Sequence, residues 1–521
     1  MLALSQMTPE QKLGRVLCFR RTHMAEDLEF TLEMIKKEAV GCVQIALNDK
    51  TRELAAKLKA AADYPLLIIN DTERGYPPSG LPMLSTVTLS ACGNPEYIRL
   101  FGAAIAKGAR EDGLTGTWSP VVDIHHNRHD ILSTARHAGD SVEAVTDFAR
   151  ELLVAFNSYN FGGSAKHYPG GNHVGSDTHM MEAINDISEE ELVRVDLAPY
   201  RTLWREGLLH SIMVDHSVFP QIDPDYPASM SKKVVDLIRR EGFDGVLYTD
   251  SFAMMGILQK YGEKNAMVCA LNAGNDIILP NYRTPSREIY EMMLSAYREG
   301  LIPDARLDEA VRRVMAEEQR CAKIPENPIE MPDNMAAILD NVVRDSITAD
   351  CAEGVTPALD NPEGRRLFIL LTPQDYVEGP LGEISAGQWY YPELVKEAIR
   401  ENFPNAEVVT LPEYPNAHQN DVTLTAATKH DEIVFVSFCQ SGCYLGSDGL
   451  TRRVETVFSA LAVSGKVSAH VHFGNPTALC DLPKVARRIY GYNATPAQRY
   501  AIEVLAGKIP AKGKKPFPRF M

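Results

Sequence analysis

From the start of the chain to about Cys321, short apolar runs alternate with longer amphipathic stretches. The runs are Val40 to Leu47, Leu66 to Ile69, Thr117 to Ile124, Ile212 to Val214, Val246 to Tyr248 and Asp276 to Leu279. Loops and helical patterns such as Glu143 to Ser158 and Lys232 to Arg240 lie between them. Strands that are apolar on both faces and alternate with helices belong to a parallel sheet covered on both sides. Over residues 1–325 this pattern predicts a TIM-type (β/α)8 barrel as the catalytic domain. The segment KIPENPIEMPDN, Lys323 to Asn334, is broken by prolines that remove backbone donors, so it reads as a linker. A helical stretch from Met335 to about Ala349 continues this connection over residues 326–360. Strand-like runs then return at Arg366 to Leu371, Glu432 to Phe438 and Ser468 to Phe473, with amphipathic stretches at Pro392 to Glu401 and Arg452 to Val463. Residues 361–521 are therefore expected to form a smaller α/β sandwich domain.

Composition supports a packed enzyme. Of 521 residues, 45% are hydrophobic and 23% charged, the balance of a globular protein with enough apolar surface for more than one core. The net charge of -16 is spread along the chain, which disfavours a nucleic-acid partner. The one basic run, Lys508 to Lys515, reads as a solvated tail. No apolar run has the length of a membrane span, and the N-terminus lacks the pattern of a secretory leader. Nine cysteines without a paired framework fit free thiols, and a cytoplasmic location is the expectation. Cys439 and Cys443 have no second pair or nearby His to complete a zinc site.

In such a barrel, chemistry sits just after the strands. Polar residues follow the runs at Asp71, Asp123, Asn127, Lys166, His167, His216 and Asp250. Each alone could be a helix cap, but a series of them is harder to explain that way, because buried charge is costly unless paired or used. The densest stretch is GSAKHYPGGNHVGSDTH, Gly163 to His179. His167, His173 and His179 are six residues apart, which is no standard ligand spacing, so neither a metal nor another cofactor is expected. Asp177 precedes His179 by two residues and can orient its ring, making His179 a candidate proton shuttle.

These motifs resemble glycoside hydrolase family 3, N-acetylglucosaminidase branch. KHYPGGNHVGSDTH is similar to that branch's Lys-His-Phe-Pro-Gly … Asp-Ser/Thr-His signature, and GVLYTDSFAMMGI to its nucleophile strand. INDTERG, SPVVDIHHN, SIMVDHSVFPQID and, in the second domain, HFGNPTALCDLP match in the expected order. Two segments depart from the pattern: Pro169-Gly170-Gly171-Asn172 replaces Pro-Gly-His-Gly, and Tyr76 replaces an Arg near the expected sugar site. The resemblance implies a retaining exo-β-N-acetylglucosaminidase with Asp250 as nucleophile, His179 as acid/base and Asp177 as its orienting partner. It also implies sugar contacts from Asp71, Arg136, Lys166, His167 and His216. For Arg136 the plainer alternative is an i, i+4 pair with Asp140, and for His216 a satisfied core histidine. His173 is unassigned. Phosphate as acceptor, a β-glucosidase or β-xylosidase specificity, a silent sugar-binding barrel and an unrelated metal-dependent hydrolase remain the alternatives.

Overall fold

The computed structural model describes residues 2–20, 25–130, 135–170, 173, 175–374, 389–446 and 448–521. Two compact units divide the chain: 1–82, 98–126 and 141–335 form the first, and 83–97, 127–140 and 336–521 the second.

The first unit is an eight-stranded parallel barrel. Its strands are β1 (Cys18–Arg20), β2 (Cys42–Gln44), β3 (Leu67–Asn70), β4 (Gly116–Thr117), β5 (Gly162–Tyr168), β6 (Ser211–Val214), β7 (Val246–Ser251) and β8 (Ile277–Leu279), paired in that order. β8 returns to the start through a parallel bridge between Ile278 and Leu17, with the Ile278 N–H donating to Val16 O at 2.8 Å. The expected run Thr117 to Ile124 yields only the two-residue β4, because Pro120 has no N–H to give a ladder. The chain bends at Trp118 and pairs again at Val121 with Lys166. Helices cover the strands and begin where their sequences supply caps. Ser141 accepts from Ala144 N at the start of Val142–Ser158, and Ser231 from Val234 N at the start of Lys232–Arg240; such caps contribute about 1 kcal/mol each.

Strand alternation sets which groups reach the barrel mouth. Leu67 and Ile69 of β3, Met213 of β6, Val246 and Tyr248 of β7, and Ile277 and Leu279 of β8 share one buried cluster with Trp118. Side chains alternate with a period of two, so the same face of β3 and β7 continues to Asp71 and Asp250 beyond the packed layers. The opposite, N-terminal pole is tied by charge: the fully buried Asp276 accepts from Arg239 and Arg306 at 2.6 Å each and from Leu247 N–H at 3.0 Å.

The second unit is a six-stranded sheet of β9 (Thr348–Cys351), β10 (Arg366–Thr372), β11 (Ala406–Pro412), β12 (Ile433–Cys439), β13 (Val467–Gly474) and β14 (Arg487–Gly491). The order is β9-β14-β13-β12-β10-β11, with β9 antiparallel and the rest parallel. Every residue of β10 and β12 is buried, as a sheet covered on both faces requires.

The core of this sheet holds an uncharged chain of polar groups. His472 Nε2 lies 2.8 Å from Asn475 O and must donate, so Nδ1 accepts the Ser437 hydroxyl at 2.7 Å. The Ser437 oxygen in turn takes His470 Nε2–H at 2.7 Å. Burial, with Arg488 nearby, pushes His472 down to about 4 and His470 well below its ordinary value. The unfolded chain takes up these protons near pH 6.5, whereas the folded chain resists them. Stability of this unit is therefore full above pH 6.5 and falls toward pH 4, by roughly 1.4 kcal/mol per pH unit for each imidazole. Urea unfolding at pH 7 and pH 5 checks this; the expected loss is smaller in His470→Gln, and an equal loss in the variant would contradict the assignment.

Candidate active site

The ends of β3, β5 and β7 meet in a charged cluster. Lys166 of β5 is buried, and its Nζ donates to Asp71 Oδ1 at 2.6 Å and pairs with Glu73 Oε1 at 2.5 Å. The Asp71 side chain keeps 51% of its surface exposed, so it can meet a ligand while held by the lysine. Next in sequence, His167 is fixed by a two-point contact. Its backbone N–H donates to Asp123 Oδ1 at 3.0 Å, and its ring Nδ1 donates to Oδ2 at 2.7 Å.

Asp250 ends this layer from β7, half-buried, with Oδ1 accepting from Ser251 N–H at 2.6 Å. Burial raises the pKa of such a carboxylate, but His167, His216, the Ser251 N–H and Lys166 together more than offset it. Asp250 is held below its ordinary value of 3.8, ionised and poorly hydrated. His216 lies buried nearby, with Nδ1 2.7 Å from Ser229 Oγ and Nε2 3.2 Å from Ser251 O. Its ring packs on Phe252 at 4.9 Å. Burial lowers its pKa against the pull of Asp250. With both nitrogens engaged inside the protein, His216 supports the strand end that carries Asp250; direct contact with a sugar hydroxyl would require one of these bonds to break.

The Asp177–His179 dyad forms as the spacing suggests. Asp177 is buried, and one oxygen accepts both the His179 backbone N–H at 2.9 Å and its Nδ1–H at 3.1 Å. A neutral ring that donates through Nδ1 has its acceptor at Nε2. The loop is seated on the helix that follows the Asp250 strand. Met255 N–H, at the start of Met255–Tyr261, donates to His179 O at 3.2 Å, and Lys260 pairs with Glu182 at 2.7 Å. Gly256 permits this approach, since a Cβ there would stand 2.7 Å from Met181 O.

Arg136 and Asn127 belong to the segment 127–140 that packs with the second unit. His173 lies beside His126 and Asp196 rather than with His167 and His179. Gly171 and Asn172 of the departing loop are outside the described residues. Tyr76, expected near the sugar site, instead points into the helix layer: it is buried, stands beside Gly108 and donates its hydroxyl to Asp112 Oδ2 at 2.8 Å. An aromatic ring gains more from burial there than from a wet polar mouth. The expected list lacked Glu73, visible only in the INDTERG motif, and Arg20, which ends β1 and donates to Ser251 Oγ at 2.8 Å. No local signal marks Arg20 beyond its place after the apolar LCF run.

The arrangement offers an ionised carboxylate, a carboxylate-oriented imidazole and a lysine held between two acids, which suits displacement at a polyol carbon. The model of the glycosyl hydrolase family 3 N terminal domain matches residues 10–316. A beta-N-acetylglucosaminidase/beta-glucosidase of Cellulomonas fimi is 26% identical over 553 aligned positions, spanning 99% of this chain and 95% of that protein. A beta-hexosaminidase of Xanthomonas campestris pv. campestris is 28% identical over 247 positions, 45% of this chain and 73% of its own. Among solved structures, a family 3 beta-N-acetylglucosaminidase from Paenibacillus sp. str. FPU-7 superposes with a TM-score of 0.79 at 24% identity, covering 98% of this chain and 99% of that one. The beta-glucoside phosphorylase BglX superposes at 0.81 with 21% identity, covering 99% and 94%.

Proposed function

Because this chain belongs to glycosyl hydrolase family 3 and is a glycoside hydrolase, we propose that it releases terminal β-linked N-acetylglucosamine by double displacement, with Asp250 as nucleophile. The observation that carries the reading is the Asp177–His179 dyad, seated on the helix behind the Asp250 strand. In the first step the Asp250 carboxylate attacks the anomeric carbon while His179, protonated at Nε2, gives its proton to the departing oxygen. Asp177 holds the ring and stabilises its charged form. Neutral His179 then takes a proton from water as water attacks the glycosyl ester, and Asp250 leaves as carboxylate. Asp71, Lys166 and His167 meet the sugar hydroxyls. Arg136 is assigned the same role from its motif alone.

The N-acetyl preference is supported by the loop signature and by the Xanthomonas relative, a beta-hexosaminidase, whereas the Cellulomonas relative is both a beta-N-acetylglucosaminidase and a beta-glucosidase. Nitrophenol release from the N-acetyl-β-glucosaminide and the β-glucoside measures it. The expected kcat/KM ratio favours the N-acetyl sugar by at least about tenfold, the effect of roughly one well-placed contact; a glucoside preference would overturn the specificity.

The same dyad favours a second reading. A neutral imidazole, unlike a carboxylate base, does not repel an anion, so inorganic phosphate can replace water in the second step. Its oxygen would bond to the anomeric carbon as the Asp250 ester breaks, giving a sugar 1-phosphate. Product analysis with and without phosphate decides between the two: sugar phosphate identifies a phosphorylase, and free sugar alone in both conditions removes that reading.

A further inference from the structure

Three side chains from separated parts of the first unit converge beside the active-site loop without a part in the chemistry above. His126 comes from the segment after β4, His173 from the loop after β5, and Asp196 follows the helix Glu189–Arg194. We infer that His126, His173 and Asp196 bind one divalent transition-metal cation of the zinc type, through both imidazole Nε2 atoms and the Asp196 carboxylate.

The geometry fits such an ion. His126 Nε2 lies 2.8 Å from Asp196 Oδ1 and His173 Nε2 3.6 Å from Oδ2, and one donor atom from each residue falls within 4.8 Å of the others. Tetrahedral ligands at about 2.0–2.2 Å from zinc stand about 3.4 Å from one another, between the two separations seen here. A hydrogen bond to the carboxylate accounts for only one of the imidazoles. His126 is within hydrogen-bond distance of the carboxylate, whereas His173 Nε2, shielded from solvent, is too far from Oδ2 for a bond. The two rings are nevertheless stacked, with centroids 4.1 Å apart and planes 12° off parallel, and both present Nε2 to the same carboxylate. The Nε2 lone pair lies in the plane of its ring, so one of the two stacked rings turns about its Cβ–Cγ bond when both bind one ion.

Donor type narrows the choice of ion. Two nitrogens and a carboxylate suit zinc and its neighbours, whereas magnesium and calcium require oxygen-rich sites. Asp196 is almost fully buried, so the anion is already in place. Gly170, at φ +91°, lets the loop close over it, since a Cβ there would come within 2.9 Å of Asp196 Cβ. His173 lies midway between His167 and His179, and its backbone N–H donates to Asn185 Oδ1 at 3.1 Å. A bound ion would therefore pin the middle of the loop that carries the acid/base while taking no part in bond making or breaking.

Calorimetric titration of the chelator-treated full-length protein with Zn2+ tests the site independently of any glycosidase assay. One tight equivalent is expected in the wild type, weakened more than about 100-fold in both His173→Gln and His126→Gln, beyond the loss typical of an outer-shell change. Should a variant fail to fold, Cu2+ loaded at one equivalent into the wild type gives the second readout, an electron paramagnetic resonance spectrum split by two imidazole nitrogens. No zinc binding at micromolar protein, unchanged binding in both folded variants, or a copper spectrum without two nitrogens would each overturn the inference.

Discussion

Asp250→Ala is expected to lower kcat/KM on the N-acetyl-β-glucosaminide by at least about 10^4-fold while leaving the fold intact, because removing a covalent nucleophile forfeits the whole first step. The magnitude follows from the electrostatics of its site. Burial by itself raises the pKa of this carboxylate, but His167, His216, the Ser251 N–H and Lys166 hold it ionised below 3.8. An ionised, poorly hydrated carboxylate is a ready nucleophile at neutral pH. The acid limb of the kcat/KM profile is therefore expected not to rise above the ordinary carboxylate range, since ionisation is lost only as pH falls through the depressed value. Circular dichroism controls for folding, and a folded Asp250→Ala protein that retains more than a hundredth of the activity would contradict the assignment.

His179→Ala is expected to cost about 10^2- to 10^4-fold, the usual span for a general acid/base. Unlike the Asp250 effect, this loss depends on the leaving group. A natural alcohol needs the proton from Nε2, whereas an activated phenolate departs without it and shows a smaller loss in the first step. Asp177→Ala should fall well short of Asp250→Ala, because Asp177 only orients and charges a ring that is still present. Single-turnover rates for the three variants on two leaving groups separate these roles. Equal losses for Asp177→Ala and Asp250→Ala would show that the dyad has been misread.

Much of this architecture is written in local pattern. The helix Lys232–Arg240 and the helix Arg452–Val463 begin and end where amphipathic spacing and an N-cap place them. β7 was legible as an apolar run and extends three residues further, because the polar Thr249, Asp250 and Ser251 continue the parallel ladder, Thr249 opposite Val214 of β6 and Ser251 opposite Leu279 of β8. β4 was over-read because apolar character says nothing about a missing N–H at Pro120. Segments 83–97 and 127–140 pack with the second unit, and no spacing rule reveals such a choice of partner.

The site shows the same division. Asp71, Lys166 and Asp250 were legible because strand ends in a barrel share one mouth, and the Asp177–His179 pairing because two residues of separation suffice. The second carboxylate on Lys166, from Glu73, depends on the turn after β3. The engagement of both His216 nitrogens depends on Ser229 and Ser251, which are remote in sequence. Histidine spacing along one loop gave no metal pattern, since the partners of His173 come from two other segments.

Trapping the intermediate tests the central claim most directly. In His179→Ala, an activated N-acetyl-β-glucosaminide can still load the nucleophile, but the second step lacks its base, so the glycosyl ester should accumulate. Mass spectrometry of the quenched, digested protein is expected to find one N-acetylhexosamine on the peptide bearing Asp250, absent from the His179→Ala/Asp250→Ala double variant. Turnover with no adduct, or an adduct on another residue, would mean that a different group, or the substrate's own acetamide, performs the displacement.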